Sequence, residues 1–380
     1  MLLNETQTQI QEMARQFGKN ELWPGAEERD REARFPRAEI DQLGELGFMG
    51  MQVSDGYGGL GTDFISYAVA VEEIAAGDGA CSTIMSVHSL VCGTIEKYAT
   101  PTQKIKYLPK LASGAWVGGF ALTEPQAGSD ASNLKSTAVK DGDHYILNGS
   151  KQFITSGENG GLFVVFAVTD KEAGNKGITA FLVERDTPGY NVVRIEKKLG
   201  IASSDTCQLS FEDMRIPVDN VLGNVGEGYK IALANLESGR IGIAAQAVGM
   251  ARSAFEYARD YTLERKAFGK PISAQQGVSF QLADMGTQIE AGRQMVWHAA
   301  ALKDAGRPCL REASMAKLLT SEIGEKTCSQ AIQLLGGYGY LTDYPLERIY
   351  RDIRICQIYE GTSEIQRLVI SRDILREAGA

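Results

Sequence analysis

The sequence is poor in histidine and has no paired cysteine motif. Only His88, His144 and His298 occur in 380 residues. They form no HExxH, and no two stand at ligand spacing, which argues against a histidine zinc site or a Ser-His-Asp triad. The six cysteines (Cys81, Cys92, Cys207, Cys309, Cys328 and Cys356) are scattered without a CxxC, the pattern of free thiols in a reducing compartment. A basic excess is also missing: 39 Lys and Arg against 48 Asp and Glu leave a net charge of −9, which speaks against a nucleic-acid partner. Long apolar runs are absent too. The most tempting one, LFVVFAV at Leu162–Val168, is strand-sized and too short to span a bilayer. The N-terminus, MLLNETQTQIQEMARQF, has no signal-like apolar core, and Asn4 with Gln7 predicts a helix start instead. A cytoplasmic protein fits these absences, as does a mitochondrial-matrix protein from which a presequence has been removed.

What is present is a chain that is 43% hydrophobic, enough for two or three domains with a sizeable core. Three textures follow one another. Residues 1–116 are helix-like, with Ala-rich amphipathic runs such as ISYAVAVEEIAAG (Ile65–Gly77). Residues 117–225 change to β-branched and aromatic segments, with Asp141-Gly142 and Asn148-Gly149 as turn dipeptides. Residues 226–380 are helical again, and the run EASMAKLLTSEIGEKTCSQAIQLLGG ends at a glycine stop.

GYGGLG at Gly56–Gly61 satisfies G-x-G-x-x-G, with Asp78 about twenty residues on, as a nicotinamide-binding turn requires. Helical texture on both sides leaves no βαβ unit, so a glycine-rich connector is the better reading. Four other stretches stand out. FALTEPQAGSD (Phe120–Asp130) offers small donors, or a turn with a capping Ser-Asp pair. KQFITSG (Lys151–Gly157) places Phe153 and Thr155 on one side of a strand. QLLGGYGY (Gln333–Tyr340) leads to RICQIYEGTSEIQ, where Glu360 follows an apolar run and precedes Gly361. That glutamate is either an exposed residue at a helix end or a base held out of water, since burial raises a carboxyl pKa.

Together, in this order and spacing, the four stretches resemble the acyl-CoA dehydrogenase family over essentially the whole chain. The resemblance implies an α+β fold: an N-terminal helical domain, a middle antiparallel β domain and a C-terminal four-helix bundle. It implies FAD as cofactor, acyl-CoA as substrate, an electron-transfer flavoprotein as partner and a homotetramer. By position, Phe120, Leu122 and Thr123 would line the pyrimidine side of the flavin ring, with Phe153 and Thr155 flanking it. Arg265 and Phe268 would reach the cofactor of a neighbouring subunit, and Gln276, Gln333 and Gly337 would meet the same dinucleotide tail. Thr362 and Glu364 would complete FAD binding. Ser129, Glu237 and Arg240 would touch the acyl-CoA, and Gly361 would leave room for it.

Glu360 would be the base that takes the α-proton. Relatives of the isovaleryl and long-chain type carry their base just before the arginine of ESGR, which here is Gly239. Glu237 is offset from that position by two residues, about 200° around a helix. The arrangement favours a short-chain substrate, straight or branched, with Cys356, Ile84 and Val87 expected to face the acyl chain. Alternatives from the same stretches are a medium-chain dehydrogenase, an acyl-CoA oxidase, or a non-catalytic acyl-CoA-binding or assembly protein. Two departures from the family pattern are Asn133 after GSD and Ala267 where relatives carry a hydroxyl.

Overall fold

The structure is a computed structural model that describes residues 2–379. Helix α1 (Glu5–Phe17) opens with a capping box in which Asn4 and Gln7 satisfy each other's backbone amides. Helices α2 (Ala26–Glu32), α3 (Arg37–Glu45), α4 (Phe64–Gly77), α5 (Gly79–Tyr98) and α6 (Pro101–Ala112) follow. The GYGGLG stretch is a 3₁₀ turn and loop leading into α4, and Asp78 caps α5 while pairing with Arg29 at 2.7 Å.

The sequence pattern predicts an amphipathic α4, but the helix is buried on nearly every side, Glu72 and Glu73 included. The reason is its place between α1 and the later helices α7 (Gly228–Glu264) and α8 (Gln276–Asp304). Arg252 on α7 contacts Glu72 at 3.1 Å and Glu73 at 2.5 Å. Arg293 on α8 reaches Glu72 at 2.9 Å, and Arg15 on α1 reaches Glu73 at 2.9 Å. Each buried carboxylate is therefore compensated, which is what makes burial tolerable. The N- and C-terminal helices consequently share one apolar core.

The middle region is an eight-stranded sheet: β1 (Gly118–Ala121), β2 (Thr137–Asp141), β3 (His144–Thr155), β4 (Leu162–Val168), β5 (Ile178–Glu184), β6 (Tyr190–Ile195), β7 (Thr206–Pro217) and β8 (Val221–Leu222). The strand order is β6-β7-β3-β2-β4-β5-β8, with β1 beside β4. Most pairings are antiparallel as expected, but β1–β4 and β2–β4 are parallel, because β1 and β2 each approach β4 after a crossover. Asp141-Gly142 makes the β2–β3 hairpin, with Asp141 opposite His144. Asn148-Gly149 is not a turn. It lies inside β3 at a register step against β7, where the Asn148 amide holds Asp213 through two hydrogen bonds of 2.8 and 3.0 Å. A Cβ at Gly149 would stand 2.3 Å from Ser136 Oγ, so the glycine serves close approach between strands.

His88 on α5 ties the helices to the sheet: its Nδ1 accepts from Gly118 N–H at 3.0 Å and its Nε2 donates to Met49 O at 3.0 Å. Burial pushes its pKa down to about 4, so it is a neutral structural histidine. After α7 come the short hairpin β9 (Lys266–Ala267) and β10 (Lys270–Pro271), then α8, α9 (Leu310–Leu335), α10 (Leu346–Ile353) and α11 (Ser363–Glu377). Helices α7, α8, α9 and α11 form the C-terminal bundle, and α9 ends at Gly336 with φ +61°. Among the described residues, no helix is long and apolar enough to cross a membrane.

One buried ion pair joins β3 to the segment that follows β1. Lys151 on β3 is 0% exposed, and its Nζ lies 2.7 Å from Glu124 Oε1 and 3.1 Å from Leu122 O. Glu124 in turn accepts from Lys135 N–H at 2.6 Å and Ser136 N–H at 3.1 Å. Replacing Lys151 by Met should leave that carboxylate buried without a counter-charge and cost about 3–5 kcal/mol. Urea unfolding of K151M beside the K151M/E124L double variant checks this, with the double variant recovering most of the loss.

Candidate active site

Glu360 does not end a helix. A 3₁₀ turn (Arg354–Gln357) gives way to Ile358 and Tyr359, and Glu360 and Gly361 then take two successive left-handed conformations, φ +54° and +93°. Only glycine adopts this region without cost, so Glu360 is held in a strained conformation by its surroundings. The holders are visible. Gln366 Nε2 on α11 donates to Glu360 O at 3.1 Å and Gly361 O at 2.9 Å, and Lys317 Nζ on α9 donates to Gly361 O at 2.7 Å. Tyr359 is tied to α7 through Gln246 Oε1 at 2.5 Å, and Gln246 Nε2 donates on to Thr83 on α5 at 2.6 Å. Thr362 caps α11 by accepting from Ile365 N–H at 3.4 Å, and Glu364 stands exposed in that helix's first turn.

The carboxylate itself points inward. Its Oε2 is buried and has no hydrogen-bond partner among the described residues. A Cβ built on Gly239 of α7 would come within 2.6 Å of that oxygen. The two positions from which a base could act therefore converge on one place, and the glycine at 239 makes room for the glutamate at 360. Of the isoleucines before it, Ile353 is fully buried and Ile355 half-buried against the core, but Ile358 turns outward and is 49% exposed. Burial among α4, α7 and α9 raises the Glu360 pKa to about 6, opposed by the charges of Arg240 and Lys317. Arg240, 5% exposed, donates to Ser314 on α9 at 3.2 Å.

Gly239 also lines a cavity of about 250 Å³ between α4, α5 and α7. The α5 face turned to it carries Ser86, Ser89, Leu90 and Gly93, spaced by three or four residues as one helical stripe. Cys356 and Ile84, expected here, are fully buried in the helical core instead, and Val87 is not on the lining stripe. The reason is phase: the turn before Glu360 is 3₁₀ rather than α, and α5 is rotated so that Ser86 and Ser89 face the space. Glu237 pairs with Lys303 at 3.0 Å, beside the cavity.

The β-domain residues come together around a bulge. Between Lys151 and Ile154 the β3–β7 register slips, and Phe153 takes φ +59° and is 64% exposed. Simple alternation of Phe153 and Thr155 is thus broken by the inserted residue. Gln152 N–H donates to Thr123 O at 2.9 Å, which brings Phe120, Leu122 and Thr123 at the end of β1 beside Phe153 and Thr155. Ser129 lies exposed in the loop beyond, and Asn133 N–H closes a turn onto Asp130 O at 3.2 Å. A second cleft, of about 520 Å³, is lined by Arg265, Gln333 and Gly337, with the Arg265 guanidinium 5.7 Å from the Tyr338 ring centroid. Gln276 at the start of α8 and Phe268 do not line it; Phe268 stands 96% exposed on the β9–β10 turn, next to Ala267.

Residues 4–115, 119–214 and 226–375 match, in turn, the N-terminal, middle and C-terminal domains described for acyl-CoA dehydrogenases. An acyl-CoA dehydrogenase of Bacillus subtilis is 48% identical over 99% of both chains. The chain belongs to the acyl-CoA dehydrogenase family. It is therefore a flavin-dependent oxidoreductase by family. A short-chain-specific acyl-CoA dehydrogenase of Clostridium acetobutylicum is 46% identical over 98% of this chain and 99% of its own. The solved butyryl-CoA dehydrogenase of Megasphaera elsdenii superposes with a TM-score of 0.97 at 43% identity, covering 99% of both chains.

Three residues that hold the turn, Lys317, Gln366 and Gln246, are not among those to which the sequence motifs assign a role. For Lys317 a signal existed, a lone lysine inside the apolar helical stretch SMAKLL; for the two glutamines there was none.

A raised folded-state pKa makes a carboxylate a source of instability once it ionises. The contribution of Glu360 is favourable below its unfolded value near 4.5 and is lost as pH rises through about 6. Glu360→Gln should therefore be more stable than the parent by about 1–2 kcal/mol at pH 8, the gap closing toward pH 5. Denaturant midpoints at the two pH values check the sign.

Proposed function

We propose that this protein catalyses FAD-dependent α,β-dehydrogenation of a short-chain acyl-CoA, straight or branched, to the trans-2-enoyl-CoA, with Glu360 as the base. The observation that carries the reading is the buried, unpartnered Glu360 Oε2 set against Gly239 at the edge of the cavity. A carboxylate with a pKa near 6 is ionised at neutral pH and is a stronger base than a solvated one. Among the described residues the Glu360 N–H has no hydrogen-bond acceptor, which leaves it to donate to the thioester carbonyl and stabilise the charge that develops there. Gly361 has no side chain to obstruct that approach. Arg240 and the Glu237–Lys303 pair supply the polar side of the substrate site, and Ser129 is exposed toward the CoA portion in this reading.

The residues present fit a flavin dinucleotide. Phe120 and Phe153 offer ring faces, and Thr123 and Thr155 offer hydroxyls beside them. Bound FAD supplies the acceptor for the β-hydride, and an electron-transfer flavoprotein would take the electrons onward. The Arg265, Gln333 and Gly337 cleft has the guanidinium, amide and open backbone suited to a pyrophosphate tail. With Phe268 standing free of its own chain, this supports a homotetramer in which one subunit completes another's cofactor site. Thr362, Glu364 and Gln276 would serve the same tail. A cytoplasmic setting, or an organelle matrix, agrees with the six free buried cysteines.

At about 30 Å³ per water-sized group, the 250 Å³ cavity has room for about eight such groups, enough for an acyl chain of roughly four to six carbons. Nothing lies within 4 Å of a Cβ built on Gly93, so this position faces open space. Gly93→Leu should lower kcat/KM for hexanoyl-CoA well below that for butyryl-CoA, and a higher kcat/KM of the parent on C12 than on C4 would overturn the chain-length assignment.

Glu360→Gln should remain folded and yellow and should bind acyl-CoA, yet lose anaerobic flavin bleaching by at least about 10²- to 10⁴-fold. Bleaching within a few-fold of the parent would remove Glu360 from the role of base.

A further inference from the structure

Lys317 is the one feature of this site whose burial the reading above does not require. The side chain is 0% exposed, and its Nζ makes a single hydrogen bond, to Gly361 O at 2.7 Å. Among the described residues no carboxylate lies within ion-pair distance of it. A neutral donor would serve a backbone carbonyl at far less desolvation cost than an ammonium, which loses several kcal/mol on burial without a partner. The charge therefore needs an explanation that the hydrogen bond alone does not give. Among the described residues, the carboxylates that act on Lys317 are those of Glu360, whose Oε2 is buried, and Glu364, which is exposed.

Resting on the reading of Glu360 as base, we propose that Lys317 is a positioning residue for it. The ammonium fixes the Gly361 carbonyl, and with it the left-handed Glu360 turn, while its buried charge keeps the carboxylate ionised. Ser314 and Lys317 are three apart on one face of α9, so the same helix stripe holds Arg240 by one residue and the turn by the other. The charged and titratable groups facing the pair are Arg240 from α7, Tyr67 from α4, Cys356 and Tyr359 from the preceding turn, and Glu364 from α11. Burial lowers the Lys317 pKa to about 8 and raises that of Glu360 to about 6, so both groups are charged between those values.

The test is the pH dependence of anaerobic flavin reduction by butyryl-CoA in the full-length holoprotein, for the parent, Lys317→Gln and Lys317→Met. Gln keeps a donor and removes the charge; Met removes both. Loss of the charge should move the acid limb, near pH 6 in the parent, upward by about one unit in both variants. Met alone should also lower the pH-independent plateau, by roughly tenfold or more, as the turn loosens. Flavin content and butyryl-CoA binding on the same samples show that the variants are folded, and K317Q decides the matter if K317M loses its flavin. Acid limbs coinciding with the parent would overturn the proposal. Glu360→Gln run alongside separates the two ideas. If it still bleaches, the base assignment fails; if it is inert while K317Q titrates like the parent, only the role of Lys317 fails.

Discussion

The burial of one carboxylate, with Glu360 Oε2 set against Gly239 at the edge of a cavity, is the constraint around which this site is arranged. Water must be excluded from Glu360 Oε2, yet no protein group may neutralise it by direct contact. The solution uses three helices of the bundle. From α7 come the missing side chain of Gly239, which makes the space, and the Arg240 guanidinium, which moderates the burial penalty. From α9 come Ser314 and Lys317, and from α11 comes Gln366, which holds the carbonyls of two left-handed residues. Left-handed backbone at a non-glycine residue costs of order 1–3 kcal/mol and persists only where the surroundings over-determine it. Here the polar contacts to both carbonyls do that.

The same logic of compensated burial recurs away from the turn. Glu72 and Glu73 run through the middle of the helical core, and three arginines from three other helices meet them. Lys151 and Glu124 pair beneath the β1–β3 junction, and the carboxylate also gathers the amides of Lys135 and Ser136. Both clusters lock together elements distant in sequence. One fixes α4, which forms a wall of the cavity; the other fixes the bulge that presents Phe153. Buried ion pairs are weak sources of net stability, but removing one partner is costly, so they restrict which arrangements the chain can adopt.

Much of the architecture was legible from local signals, because those signals act over a few residues. The Asn4–Gln7 box, the Asp141-Gly142 turn and the Gly336 stop each depend on contacts within one turn of chain, and each appears where the pattern places it. Asn148-Gly149 misled because a two-residue turn and a strand bulge ask for the same backbone freedom; pairing with β7 decides between them. The α4 pattern misled because charged residues look solvent-facing until their partners are known.

At the site, the linear order of residues specifies which side chains are capable of chemistry. A glutamate before a glycine, a glycine in the alternative position and the set of motif residues are covalent facts. Tertiary structure decided how Glu360 is presented. Its left-handed turn, the coincidence of positions 239 and 360 in space, and the outward rotation of Ile358 arise from contacts spanning α4, α7, α9 and α11. The buried lysine beneath the turn belongs to the same class. Its effect on a carboxylate 43 positions along the chain depends on distance through space and on the exclusion of water, and a linear pattern records neither.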